Sequence, residues 1–169
     1  MKEWLKIVGF CILASVVYGI AHDQITIRIC LPYFTYFHPR IIESQNPTVL
    51  ALFWGIFATW WMGAIFGGLL ACSSRLGTWP KLYCRQMVVP VIKLLAISAI
   101  AAVYAGIIGS QSYEWFFGNI PGATPTQFNT CLYAHNACYI VSGVGSLVLC
   151  GAILRKRYRA SAVANAPDS

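Results

Sequence analysis

Charge is scarce in this 169-residue chain: 10% of its residues are Asp, Glu, Lys or Arg, and only five are acidic. A soluble domain carries about 25%. So little charge excludes a disordered chain, a coiled coil and a nucleic-acid-binding domain in water. Familiar catalytic motifs are also absent. There is no G-x-S-x-G, no H-E-x-x-H and no P-loop. The seven cysteines form no C-x-x-C pair and their number is odd, which argues against a disulfide framework and a zinc ribbon. No internal repeat joins the two halves.

What is present is apolar. Hydrophobic residues make up 58% and aromatics 14%, with a mean hydropathy of +0.64. These values predict an all-α polytopic membrane protein, a bundle of four transmembrane helices over residues 1–159. Each span needs about 20 apolar residues. The predicted spans are roughly 4–21 or longer, 48–74, 88–109 and 131–154, and residues 160–169 read as a disordered tail. The first run could also be a signal peptide with Gly19-Ile20-Ala21 as its cleavage site. A retained helix continuing toward Pro32 is the favoured reading.

The net charge of +7 would suit a nucleic-acid partner, but its placement argues for a lipid bilayer instead. Lys2, Lys6, Arg75, Lys81, Arg85, Lys93, Arg155, Lys156, Arg157 and Arg159 flank apolar runs, as topology-setting charges do. They place both termini in the cytoplasm, with residues 22–47 and 110–130 outside. Gly63, Gly67 and Ala71 form one ridge of small residues. Ala134, Cys138, Ser142, Ser146 and Cys150 form another. Such ridges let helix backbones approach in lipid. Packing within the bundle is the first reading, and a homo-oligomer or a membrane partner the second.

Ionisable groups at membrane depth are costly and often functional. At about 1.5 Å of rise per residue and about 30 Å of hydrocarbon, twenty residues cross the membrane. Counting from the basic flanks brings His22, Asp23, Glu114 and His135 to one outer layer. The first outer loop adds Arg28, His38 and Arg40 and is expected to be an extended aromatic segment lying over the bundle. The polar cluster is thus Asp23, Arg28, Glu114 and Asn136 around the histidines.

Three chemistries fit it. His22, His38 and His135 are candidate ligands for zinc or copper, with Asp23 behind them, since two adjacent residues rarely both ligate. Haem held by His22 and His135 ranks below a bare ion. A paired polar layer, with Asp23 matched to Arg28, needs no ligand at all. A proton or ion path is opposed by the absence of ionisable groups at mid-membrane, unless water lines the Ser142–Ser146 face. Cys30 and Cys131 both fall near the outer face, where an oxidised pair is one expectation.

Tyr18-Gly19-Ile20, His22-Asp23-Gln24, Tyr33-Phe34-Thr35, His38-Pro39, Trp54-Gly55, Ala58-Thr59-Trp60-Trp61-x-Gly63, Arg75-x-Gly77-x-x-Pro80 and His135-Asn136 together resemble a family of small bacterial multi-pass proteins. The likeness runs from Tyr18 to about Gly151. It implies a four-helix inner-membrane protein and carries no activity with it. The expected function is therefore a structural or accessory membrane protein, a subunit or partner of a larger complex. Metal handling at the outer histidines is the first alternative. An enzyme or ion pathway at the same cluster is the second.

Overall fold

The computed structural model describes residues 1–115 and 118–164. Its helices are α1 (Lys2–Ile29), α2 (Pro47–Phe57), α3 (Trp60–Arg75), α4 (Cys84–Gly109) and α5 (Pro125–Ala164), and a π-helical turn covers Tyr33–Phe37. No strand occurs among the described residues. α2 and α3 stack into one apolar rod over Pro47–Arg75, so four helical rods of 28, 29, 26 and 40 residues are each long enough to cross a membrane. The all-α, four-span architecture is that of the sequence reading.

The helix ends explain where the boundaries fall. α1 runs eight residues beyond Ala21, because nothing before Pro32 prevents it. Cys30 then turns extended (φ −147°, ψ 90°) while its N–H still bonds the Thr26 carbonyl. α2 starts where Asn46 Oδ1 accepts from the Thr48 and Val49 amides at 2.9 and 3.2 Å, with Pro47 in the first turn. α5 starts at Pro125, before the expected Cys131. Thr124 and Gln127 form a reciprocal cap, with Gln127 Oε1 3.2 Å from the Thr124 amide and Thr124 Oγ1 3.2 Å from the Gln127 amide. α5 continues through Ala164, so the first five residues of the expected disordered tail are helical. Asn165–Ser169 lie outside the described residues, as do Phe116 and Phe117.

The expected extended loop after α1 also takes another form. Ile25, Ile27 and Ile29 belong to α1, and Tyr33–Phe37 closes one π-helical turn. Tyr33 and Phe34 are buried against Phe128, Leu50 and Trp54. A single wide turn brings two aromatic rings inward, which a straight segment of alternating side chains would not do.

Small residues set the helix spacing. A Cβ added to Gly55 would lie 2.6 Å from Ile20 Cα, and one added to Gly63 would lie 2.7 Å from Ile12 Cα. At Gly67 the nearest atoms belong to Cys11 and Val8. The Gly63–Gly67 ridge is therefore filled by α1 of the same chain. On the other side α4 meets α5 where Gly109 abuts the Asn129 backbone and where Ser98 and Ser142 hydroxyls bond at 2.9 Å.

At one end of the bundle, Glu3 Oε2 accepts from the first amide of α4 (Cys84 N, 3.1 Å) and Oε1 pairs with Lys6 at 2.6 Å. A negative group at a helix N-terminus is favourably placed. At this same end lies Arg157, which is 1% exposed. It is more than a topology charge. Its Nε donates to Pro80 O (2.9 Å), Nη2 to Leu76 O (2.7 Å) and Trp79 O (3.1 Å), and Nη1 to Ser73 O. One guanidinium thus satisfies the free carbonyls at the C-terminus of α3 and in the turn that follows. α1 begins and the described part of α5 ends toward this basic end, and the histidines gather at the other.

Candidate functional site

α1 carries His22 and Asp23 in its last two turns, and α5 carries His135 in its third. The His22 and His135 rings meet edge to face, centroids 4.5 Å apart. One donor atom from each of His22, Asp23 and His135 falls within 4.8 Å of the other two. Asp23 is 6% exposed and His135 8% exposed, so water contributes little and the protein must supply the partners.

The His135 ring has a defined hydrogen pattern. Nδ1 lies 2.8 Å from the Cys131 carbonyl, one turn back on α5. A carbonyl oxygen only accepts, so Nδ1 carries the hydrogen. In the neutral ring Nε2 is then a lone pair, and it faces Asp23 Oδ1 at 3.2 Å. Two acceptors at that distance need a positive particle between them, either a proton or a metal ion. His22 Nε2 adds a third acceptor or donor: it is buried with no hydrogen-bond partner among the described residues. Such an atom calls for an explanation.

An aromatic wall surrounds the centre. Tyr33 packs on His135 (4.8 Å between centroids), and Tyr18 lies 6.0 Å from His22. His38 descends from the loop, stacked on Phe34 at 5.2 Å and 8° and tilted on Trp54 at 4.7 Å. Its ring is 6.4 Å from that of His135. His38 Nδ1 donates to the Tyr33 carbonyl at 2.9 Å, so its Nε2 is also an acceptor in the neutral ring. Burial holds the His38 imidazole below its ordinary value, against the upward pull of that carbonyl. The ring is accordingly neutral at pH 7.

Of the residues expected at one depth, His22, Asp23 and His135 come together, and His38 from the loop lies 6.4 Å from the His135 ring. Other members of the expected cluster do not. Arg28 is exposed and bonds Gln24 Oε1 (2.6 Å) and Thr48 Oγ1 (3.3 Å). Five residues of helix turn it about 140° away from Asp23, so the expected Asp23–Arg28 pair does not form and Asp23 pairs with His135. Glu114 and Asn136 have exposed side chains. Glu114 contributes only its carbonyl, which accepts from the buried Asn129 amide at 2.8 Å. Arg40 is exposed and lies over the Tyr36 ring at 5.7 Å. Asp23, expected behind the histidines, has its Oδ1 3.2 Å from His135 Nε2.

Cys30 and Cys131 are neighbouring free thiols and form no disulfide in this structure. The Cys30 amide (3.0 Å) and Cys131 Sγ (3.2 Å) converge on the same Thr26 carbonyl. The neighbouring Cys131 thiol holds the Cys30 thiol below its ordinary value.

The residues that sequence reasoning missed are the enclosing ones: Tyr18, Tyr33, Phe34 and Trp54. Tyr18 was within reach, since it precedes His22 by one helical turn. Asn129 was missed as well, and only its full burial marks it. Two imidazoles on a haem iron stand on opposite faces of the macrocycle. The edge-to-face contact of His22 with His135 leaves no room for one between them.

No protein family, curated protein or solved structure matches the chain. The fold and site by themselves define its class: a four-helix membrane-spanning protein with a buried histidine–carboxylate centre at one end of the bundle.

Proposed function

We propose that this chain is a metal-binding protein of the bacterial inner membrane, with both termini cytoplasmic and the histidine end facing outward. His22, Asp23 and His135 hold the ion, and His38 stands close enough to join or gate it. The ion is zinc or copper, for which imidazole with one carboxylate is a suitable donor set.

The observation that carries this reading is the convergence of three candidate ligand atoms, from His22, Asp23 and His135, within 4.8 Å of one another. A proton shared between His135 Nε2 and Asp23 Oδ1 would satisfy that pair but leave His22 Nε2 without a partner. A metal ion satisfies all three. Donors around tetrahedral zinc stand roughly 3.3 Å apart, given metal–donor distances of about 2.0–2.1 Å. The His135–Asp23 separation of 3.2 Å already meets that edge, and from the 4.8 Å limit of the group His22 has to close in by up to about 1.5 Å. The Nδ1–H bonds of His135 and His38 to backbone carbonyls are the supports that ligating histidines usually have.

The test is elemental analysis of the protein purified in mild detergent, before and after dialysis against micromolar zinc or copper. One ion per chain is expected, lost in His22→Ala and His135→Ala. Native protein that takes up neither metal would refute the reading. The accessory role, beside a larger complex or in a homo-oligomer, would then stand first, with co-purification of a partner as its own test.

A further inference from the structure

Cys30 and Cys131 stand where the supports of all three histidines cross. The Cys131 carbonyl accepts from His135 Nδ1 at 2.8 Å. The Cys30 carbonyl accepts from the Tyr33 amide at 3.2 Å, and the Tyr33 carbonyl in turn accepts from His38 Nδ1 at 2.9 Å. The Thr26 carbonyl receives both the Cys30 amide and the Cys131 thiol, and the Thr26 hydroxyl donates to the His22 carbonyl at 3.1 Å. A change at this pair of cysteines therefore reaches every imidazole of the site through one or two hydrogen bonds.

The two sulfurs also come from the two helices that build the centre. Cys30 caps the end of α1, which carries His22 and Asp23, and Cys131 lies one turn before His135 on α5. Both are free thiols, 2% and 0% exposed. Beside them α1 is tied to α5 by the Cys131 thiol on the Thr26 carbonyl at 3.2 Å, and a thiol is a weak donor. A disulfide in its place would fix the end of α1 on α5 covalently. An ion between His22, Asp23 and His135 bridges the same two helices, so fixing one on the other preorganises the site.

We propose that Cys30 and Cys131 are a redox switch on the metal centre: joined as a disulfide they hold α1 on α5 and tighten the ion, and as thiols they loosen it. The inference rests on the metal reading. The oxidant is a peroxide, small enough to reach a pair so fully enclosed. Cys30 attacks it, because the Cys131 hydrogen is engaged with Thr26. The O–O bond breaks, the Cys30 sulfur keeps one oxygen as a sulfenic acid, and the other leaves as water with the Cys30 proton. The Cys131 sulfur then displaces the oxygen from Cys30, and that oxygen departs as a second water with the Cys131 proton. Two thiols have lost two electrons and two protons, and one peroxide has become two waters. A small dithiol reverses the reaction by exchange.

The experiment uses the full chain in mild detergent, either reduced with a phosphine or treated with hydrogen peroxide. Peptide mapping scores the Cys30–Cys131 linkage, and competition with a chromophoric chelator measures zinc affinity. The oxidised chain is expected to hold zinc roughly tenfold more tightly, the lower range of effects from groups around a metal site. Coupling is reciprocal, so zinc should lower the reduction potential of the linkage by about 30 mV, the same factor of ten for two electrons. Cys30→Ala cannot form the linkage. It should keep the zinc affinity of the reduced chain and stay indifferent to peroxide, which separates this pair from oxidation elsewhere. Cys30→Ser serves in the same way if the alanine variant does not fold. Equal zinc affinity in the two states, or no linkage after peroxide, overturns the switch and leaves the metal centre standing. Zinc lost on oxidation overturns it as well, because the thiols would then be ligands. A chain that takes up zinc in neither state overturns the metal reading, and the switch falls with it.

Discussion

His135 and Asp23 face each other across the α1–α5 interface, Nε2 to Oδ1 at 3.2 Å. The Nδ1–H of His135 is committed to Cys131, so its Nε2 lone pair meets the Asp23 carboxylate at 3.2 Å. The pair is stable only with a cation between its members, and the rest of the site follows from what that cation is.

Asp23→Asn separates the charge from the shape. The asparagine amide donates to His135 Nε2, so the contact survives without any cation. Zinc affinity is expected to fall by roughly a hundredfold or more, in the upper range of effects at metal-site residues. Helix content by circular dichroism and the detergent melting temperature of the metal-free protein should stay near those of the native chain. Unchanged zinc affinity in this variant would remove Asp23 from the ligand set.

Arg157 holds the opposite end together. Arg157→Ala leaves four carbonyls near the end of α3 without their donor in a nearly dry place. Hydrogen bonds from a charged group contribute about 1.5–3 kcal/mol each, and they are not additive. A loss on the order of 3 kcal/mol or more is expected from denaturant unfolding in mixed micelles. Arg157→Lys should recover only part of it, because a point charge cannot span carbonyls that a planar fork reaches. Zinc content should not change in either variant, since the site lies at the other end.

The close approach of α1 to α2 and α3 predicts a steep size limit. At Gly63 the obstruction is α1 backbone, which cannot rotate away as a side chain can. Gly63→Val should destabilise by about 3 kcal/mol, at the upper end for overpacking. Gly68→Val should cost far less, since an added Cβ there meets nothing within 4 Å. Thermal unfolding of the two variants side by side measures the difference.

Cys30 and Cys131 should crosslink when the protein is treated with diamide, because the Cys30 amide and the Cys131 thiol converge on the same Thr26 carbonyl and the Cys131 thiol holds the Cys30 thiol below its ordinary value. Peptide mapping without reductant is expected to find the Cys30–Cys131 linkage and no Cys11–Cys150 linkage. Cys30→Ser should abolish it. A mapping that pairs Cys131 with Cys138 instead would show that the α1 end is not where the structure has it.

The four spans were legible because lipid imposes a simple rule. A backbone in hydrocarbon must bond to itself, so a run of about twenty apolar residues is already a helix. The start of α5 is written in the sequence as well, in the Thr124-x-x-Gln127 capping pattern. The reach of α1 was only half visible. Ile25, Ile27 and Ile29 alternate like a strand, and it took the absence of any breaker before Pro32 to continue the helix.

Counting residues from basic flanks gave a common depth for His22, Asp23 and His135, and depth is one coordinate of three. Rotation about each helix axis decided the rest. It turned Arg28 toward Thr48 and away from Asp23, and left Glu114 and Asn136 facing outward. It brought Asp23 into line with His135 and wrapped Tyr18, Tyr33 and Trp54 around them. Composition and flanking charge therefore determined that this protein spans a membrane four times and gathers its histidines at one level. Only the tertiary packing decided which of them meet, because helix rotation is set by the close glycine contacts between rods, and those contacts are written in pairs of residues far apart in the chain.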